Sequence, residues 1–259
     1  MPLQNVWLDT MLELKDVRKD FDGLRAVDGV SFGVDEGQIV GLIGPNGSGK
    51  STLLSLIAGT IEPTGGQIFF AGEDITHLPA NEIFQRGLVR GFQDPSLFFQ
   101  MTLLDNTLLP IKNQRGEQAR YAPWRRFWQQ EEHDHSQKAG NMLEQVGLRE
   151  HFDKSASDLS GGQMKLLEIA RSLMGDPRML LLDEPAAGVA PKLAHEIFAY
   201  IAMLRRDAGV TFLIVEHRLE LLFNIVDYVY VMHNGKRLAH GTPDEIIDND
   251  EVREVYFGD

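Results

Sequence analysis

The sequence predicts an α/β fold with a mainly parallel sheet, an antiparallel β layer near the N-terminus and an α-helical subdomain inserted within a single domain. Three observations carry that expectation. Residues 38–43 form an apolar, strand-like run that passes through a glycine-rich loop into a helical pattern over 52–58. Residues 11–35 alternate apolar and polar side chains around Leu12, Leu14, Val17, Val30, Phe32 and Val34, which predicts short antiparallel strands. Two later apolar runs, 179–182 and 210–215, end abruptly in polar residues, as buried parallel strands do where they meet a ligand crevice.

The loop between the first of these strands and its helix is Gly44-Pro45-Asn46-Gly47-Ser48-Gly49-Lys50-Ser51-Thr52, which fits the phosphate-loop pattern G-x-x-x-x-G-K-[ST] without mismatch. Gly47 and Gly49 let the backbone turn tightly and bring its N–H groups close to phosphate oxygens, and the new helix points its positive end at the same anion. In that pattern Lys50 reaches the β and γ phosphates and the Ser51 hydroxyl holds Mg²⁺.

Composition narrows the class. With 43% hydrophobic and 24% charged residues, the 259-residue chain reads as a soluble globular protein with a sizeable core. It holds no apolar run of 18 residues, and its start lacks the basic-then-apolar order of a signal peptide, so it is expected neither to span a membrane nor to be exported. Without cysteine it has no disulfide, thiolate nucleophile or cysteine-ligated zinc. A net charge of −13 argues against a nucleic-acid partner.

Taken in order, the first strand ends at Phe21, where an aromatic ring either stacks on an adenine or fills the core; spacing does not separate the two. Gly65-Gly66 leads into a strand over 67–71, Pro79 opens a helix to about Gln85, and residues 88–93 read as a strand ending in Gln93, to which nothing local gives a role. Residues 102–150 are expected to be mostly helical, with a polar, aromatic middle. Within it, Tyr121-Ala122-Pro123-Trp124-Arg125-Arg126-Phe127-Trp128 reads as a solvated helix face with its aromatics tucked inward, although such residues also anchor interfaces. His133-Asp134-His135 has no second ligand set at suitable spacing and reads as an exposed polar tract.

Leu159-Ser160-Gly161-Gly162-Gln163 then precedes an amphipathic helix over 164–174 that Gly175 stops. Ser160 suits an N-cap, and the two bare glycines suit a close approach to the helix start. The strand over 179–182 runs into Asp183 and Glu184; Asp183 is placed for a Mg²⁺ shell and Glu184 to accept a proton from water or orient it. Another helix is expected over about 192–206. The strand over 210–215 ends in Glu216-His217, where the histidine either meets a γ phosphate or is a satisfied edge residue. Asn234-Gly235 marks a hairpin turn, and Thr242-Pro243 starts a short terminal helix.

In this order, the motifs at 44–52, 93, 159–163, 179–184 and 217 resemble the ATP-binding cassette (ABC) ATPase family across nearly the whole chain. The helical insertion is then expected at about 95–160 of a single P-loop NTPase domain. Asp183-Glu184-Pro185-Ala186-Ala187-Gly188, Leu167-Glu168-Ile169-Ala170-Arg171, the Val215-Glu216-His217 strand end, the lengthened insertion and the tail Gly241-Thr242-Pro243-Asp244-Glu245-Ile246 are similar to the larger ATPase subunit of branched-chain amino acid importers. The resemblance implies ATP and Mg²⁺ as ligands. It implies that Gln93 senses Mg²⁺ and contacts a membrane subunit, that Ser160, Gly161, Gly162 and Gln163 close over ATP, that Glu184 is the catalytic base, that His217 is the switch histidine and that Phe21 stacks on adenine.

The same resemblance implies a head-to-tail pair of ATPase subunits, identical or paralogous, on the cytoplasmic face of the cell membrane. Two permeases and, indirectly, a solute-binding protein complete the assembly. Ala190, Gly91 and Arg218 depart from the family pattern; Ala190 stands where an acidic or amide residue is usual. Other readings are a soluble ABC ATPase of assembly or repair, a lipid-exporter ATPase, or a regulatory subunit without turnover. Lys50, Asp183, Glu184 and His217 speak against the last.

Overall fold

The computed structural model describes residues 10–91, 97–112 and 114–257. In chain order the first elements are β1 (Thr10–Phe21), β2 (Leu24–Asp35), β3 (Ile39–Ile43), α1 (Lys50–Ile57), β4 (Gly65–Phe70), β5 (Glu73–Asp74), α2 (Ala80–Gln85) and β6 (Leu88–Arg90). Next come α3 (Leu103–Leu108), α4 (Gln129–Gln145), α5 (Gly161–Met174), β7 (Met179–Asp183), α6 (Pro191–Ala208) and β8 (Thr211–Val215). The chain closes with α7 (Leu219–Leu222), β9 (Tyr228–His233), β10 (Lys236–Gly241), α8 (Pro243–Ile247) and α9 (Asp250–Phe257). Two compact units divide them: Met1–Arg90 with Arg178–Pro185 and Ile201–Asp259, and Gly91–Pro177 with Ala186–Tyr200.

The first unit holds two sheets. One is antiparallel, in the order β2-β1-β4-β5. The expected short strands are here two twelve-residue strands, closed by a two-residue turn at Asp22 and Gly23, both at positive φ, and interrupted by bulges after Leu14 and Val17. The other sheet runs β10-β9-β3-β8-β7-β6; every pair in it is parallel except β9 with β10. β3, β7 and β8 are buried at every position, which is why their sequences are continuous apolar runs rather than alternating ones. The inward faces of β1, β2 and β4 supply Leu12, Leu14, Val30, Val34 and Phe70 to one core with Leu42, Leu53, Leu54 and Ile57. Burying each such side chain contributes about 1.5–3 kcal/mol.

Register puts the polar strand ends together. Leu42 of β3 and Asp183 of β7 both lie opposite Val215 of β8, so the glycine loop, Asp183-Glu184 and Glu216-His217 leave the sheet along one edge. That edge is where a doubly covered parallel sheet presents a ligand crevice.

The second unit is helical. α3, α4 and α5 pack on one another, and Leu103, Ala139, Leu143, Leu167 and Ala170 on these helices are buried. Short 3₁₀ turns at Arg115–Glu117 and Arg125–Phe127 replace the helix expected there. Trp124 is 58% and Phe127 43% exposed, which corrects the expectation that the aromatics tuck inward. Only Tyr121 and Trp128 are partly covered; the Trp128 indole N–H donates to Ala122 O at 3.3 Å.

Candidate functional site

The loop from β3 into α1 is built around close backbone approaches. Gly44 has φ 149° and a Cβ there would stand 2.1 Å from the Met232 carbonyl oxygen; Gly49 has φ 101° and its Cβ would stand 2.4 Å from the Ala26 oxygen. Ser48 is buried and donates its N–H to Pro45 O at 3.2 Å, while its own carbonyl accepts from Gly235 N at 3.1 Å. The Asn234-Gly235 turn is thereby tied to the loop. Lys50 folds into its concavity, with Nζ donating to Gly44 O at 2.8 Å, Pro45 O at 3.0 Å and Ser48 Oγ at 3.4 Å. Burial lowers the Lys50 pKa, and the nearby Glu184 and Asp183 carboxylates oppose that shift.

A cleft of about 520 Å³ opens over the loop. Asn46, Gly47, Gly49, Lys50, Ser51 and Thr52 line it together with Phe21, Glu184 and His217. Gly44, Pro45 and Ser48, expected among the nucleotide-binding residues, stand behind that lining and hold the loop's shape. Phe21 is 44% exposed with Lys19 Nζ 5.0 Å from its ring centroid. A ring this open does not fill a core, so the core alternative falls away. Arg25, Ala26, Asn234 and Gly235 also line the cleft and were missed from the sequence, because a hairpin and a strand distant in sequence carry no local sign of meeting there.

Beneath the cleft Ser51 Oγ lies 3.4 Å from Asp183 Oδ1, and Asp183 is only 3% exposed. Its other oxygen, Oδ2, stands 3.3 Å from Arg90 Nη2, and Arg90 Nη1 donates to Ser55 Oγ at 2.8 Å. Glu184 leaves the strand at φ 51°, a conformation non-glycine residues adopt at a cost and mostly at functional sites. Its N–H donates to Val215 O at 2.9 Å, and its Oε1 lies 3.1 Å from His217 Nε2. Next to this pair, Glu216 is 3% exposed; one carboxylate oxygen accepts from His217 N at 3.2 Å and the other has no hydrogen-bond partner among the described residues. Burial, with a further push from the Glu184 charge, raises the Glu216 pKa to about 7. Gln93 lies outside the described residues.

Ser51 and Asp183 are hard oxygen donors beside a phosphate-binding loop. Mg²⁺ is held by one or two protein oxygens together with substrate phosphates, and the donor set fits that need. Elsewhere, the described residues contain no group of three or more histidine, aspartate or glutamate side chains placed for a metal, and His133 and Asp134 are exposed on α4.

Ser160, Gly161, Gly162 and Gln163 belong to the second unit. Ser160 caps α5 in a capping box: Gln163 N donates to Ser160 Oγ at 3.4 Å and Ser160 N to Gln163 Oε1 at 2.9 Å. A Cβ on Gly162 would meet Leu193 Cδ2, the far end of a flexible side chain, at 2.0 Å. Gly161 has nothing within 4 Å of its Cβ position.

Residues 27–187 match the family described as ABC transporter. The chain belongs to that family. Residues 236–259 also match the family described as branched-chain amino acid ATP-binding cassette transporter. The chain is 42% identical over 257 residues to the probable branched-chain amino acid transport ATP-binding protein LivG of Methanocaldococcus jannaschii, covering 97% of this chain and 99% of that one. It is 40% identical over 250 residues to the high-affinity branched-chain amino acid transport ATP-binding protein BraF of Pseudomonas aeruginosa, covering 96% and 98%. It also superimposes on crystal structures of a nucleotide-free ATP-binding cassette and of an ABC transporter cassette in its ADP conformation. Each of those has TM-score 0.83 and 40% identity, covering 96% of this chain and 100% and 99% of those chains. The ABC ATPase fold expected from the sequence is thus the fold of this chain, and its enzyme class is ATPase. Among the described residues, no helix of this cassette is long and apolar enough to cross a membrane.

Proposed function

We propose that the chain is the ATP-binding and hydrolysing subunit of an importer for branched-chain or related amino acids. One observation carries the hydrolytic part: His217 and Glu184 stand 3.1 Å apart in the same cleft as Lys50 and Ser51. Lys50 and the loop N–H groups bind the β and γ phosphates, and the Phe21 ring covers the adenine. Ser51 and Asp183, with Gln93, would hold Mg²⁺, which supplies charge neutralisation to the phosphates. Glu184 takes the proton of the attacking water, and His217 orients that carboxylate and reaches towards the γ phosphate. Ser160 and Gly161 contribute to the site of a second ATPase subunit, so hydrolysis loosens a nucleotide-held pair and switches two attached permeases. The substrate class rests on the match of residues 236–259 and on the names of the relatives.

The test compares Mg²⁺-dependent ATP hydrolysis by the purified chain and by Glu184→Gln, with light scattering in ATP. The expected result is a loss of roughly two orders of magnitude or more in turnover, with an ATP-bound dimer accumulating in the variant. Equal hydrolysis by the two proteins removes Glu184 from the base role. Co-purification with permeases and stimulation by a branched-chain amino acid loaded on the binding protein tests the substrate class separately.

A further inference from the structure

The segment 115–128 is left unexplained by ATP hydrolysis. It carries Arg115, Arg120, Arg125 and Arg126 against one acid, Glu117, in a chain of net charge −13. Most described arginines elsewhere sit on a carboxylate, as in Arg18–Asp16, Arg86–Glu73, Arg149–Glu144 and Arg205–Asp227. These four form no ion pair among the described residues. Arg120 donates to the neutral Gln118 Oε1 at 3.2 and 3.0 Å and lies 4.6 Å from the Tyr121 ring centroid, and Arg126 lies 4.8 Å from that of Phe127.

The segment is braced from within. Tyr121 and Phe127 approach to 5.9 Å between centroids, and the Trp128 ring lies against Gly116. That brace leaves Trp124 and Phe127 exposed among the guanidinium groups. Two clefts of the helical unit, about 590 and 220 Å³, are lined by other residues than 115–128. Arginines that form no ion pair among the described residues, set beside half-open aromatics, have the chemistry of the bilayer interface, where tryptophan sits at headgroup depth and arginine meets anionic phosphate.

We propose that residues 115–128 are a membrane-surface contact that rests on anionic phospholipid headgroups, with Trp124 and Phe127 as interfacial anchors. The contact does not depend on the assignment of the nucleotide site. Each guanidinium near an anionic surface strengthens partitioning about fivefold, so the patch orients a subunit against a bilayer and does not by itself hold it there tightly.

The experiment is sedimentation of the full chain with phosphatidylglycerol-rich vesicles and with phosphatidylcholine vesicles, with tryptophan emission recorded in both. The parent is expected to partition onto the anionic vesicles only, with a blue shift that Trp124→Ala removes and added salt weakens. Arg125→Glu with Arg126→Glu is expected to lower partitioning at least ~20-fold, Arg125→Lys with Arg126→Lys to retain most of it, and both pairs to hydrolyse ATP in solution like the parent. No partitioning by the parent overturns the proposal, as does equal partitioning by the charge-reversed protein. Loss of permease assembly in detergent on Trp124→Ala, with vesicle binding intact, assigns the patch to a protein partner and likewise overturns it.

Discussion

Arg90 Nη2 and Asp183 Oδ2 stand 3.3 Å apart beneath the phosphate loop, with the arginine 16% and the aspartate 3% exposed. A carboxylate this deep needs a partner, because an uncompensated buried charge is expensive. Arg90→Ala is expected to destabilise the chain by about 3 kcal/mol in urea unfolding. Ser55→Ala, which removes the Nη1 acceptor and the Oγ donation to Ser51 O but leaves the ion pair, is expected to cost about 1 kcal/mol. Lysine at position 90 keeps the charge without the two-pronged reach and should fall between. An unchanged midpoint for Arg90→Ala would show that the pair does not stabilise the fold.

The loop glycines separate by what stands beside them. Alanine at Gly44 or Gly49 meets a backbone carbonyl at 2.1 or 2.4 Å, which cannot swing aside, and each position has positive φ. Each substitution should cost at least ~2 kcal/mol and weaken binding of a fluorescent ATP analogue. Gly47 has φ 78° but nothing within 4 Å, so Gly47→Ala should cost only about 1 kcal/mol. Thermal unfolding of the three variants checks the order.

At the start of α5, Ser160→Ala should cost about 1 kcal/mol through the lost cap. Gly161→Ala, with open space at its Cβ position, should leave stability unchanged or raise it by up to about 1 kcal/mol. Its ATP turnover should nonetheless fall at least tenfold if a nucleotide held by a second subunit approaches there. Full turnover by Gly161→Ala would take that glycine out of the site.

Glu216 gives stability a pH slope. Its pKa of about 7 in the folded chain lies above the ordinary value of 4.5, so the native state binds the extra proton between those limits. Its contribution is therefore fully favourable below about pH 4.5 and is lost as pH rises through about 7. The loss is on the order of 1–3 kcal/mol. Glu216→Gln should remove that slope and stabilise the chain at pH 8 relative to the parent, as read from urea midpoints at pH 5 and pH 8. A parent whose midpoint rises over this window would contradict the assignment.

Residue order alone is enough wherever chain-local geometry encodes the outcome. A strand, a glycine loop and a helix succeed one another over about twenty residues, so the phosphate loop was legible from spacing alone. Asp183, Glu184 and His217 were legible because an apolar run that ends in a polar residue announces the end of a buried strand, and parallel register then aligns those ends. Tertiary structure decided everything that depends on which distant segments meet. Arg90 finds Asp183 across 93 positions, Gly235 N donates to Ser48 O, and Leu193 packs beside Gly162; no periodicity records such encounters. It also decided exposure. Phe21 and Trp124 are aromatic side chains that sequence treats alike with core residues, and only the packed chain shows that the segments around them leave both rings open. Burial is a property of the neighbours that the whole fold brings up, and those neighbours are not written next to the residue in the chain.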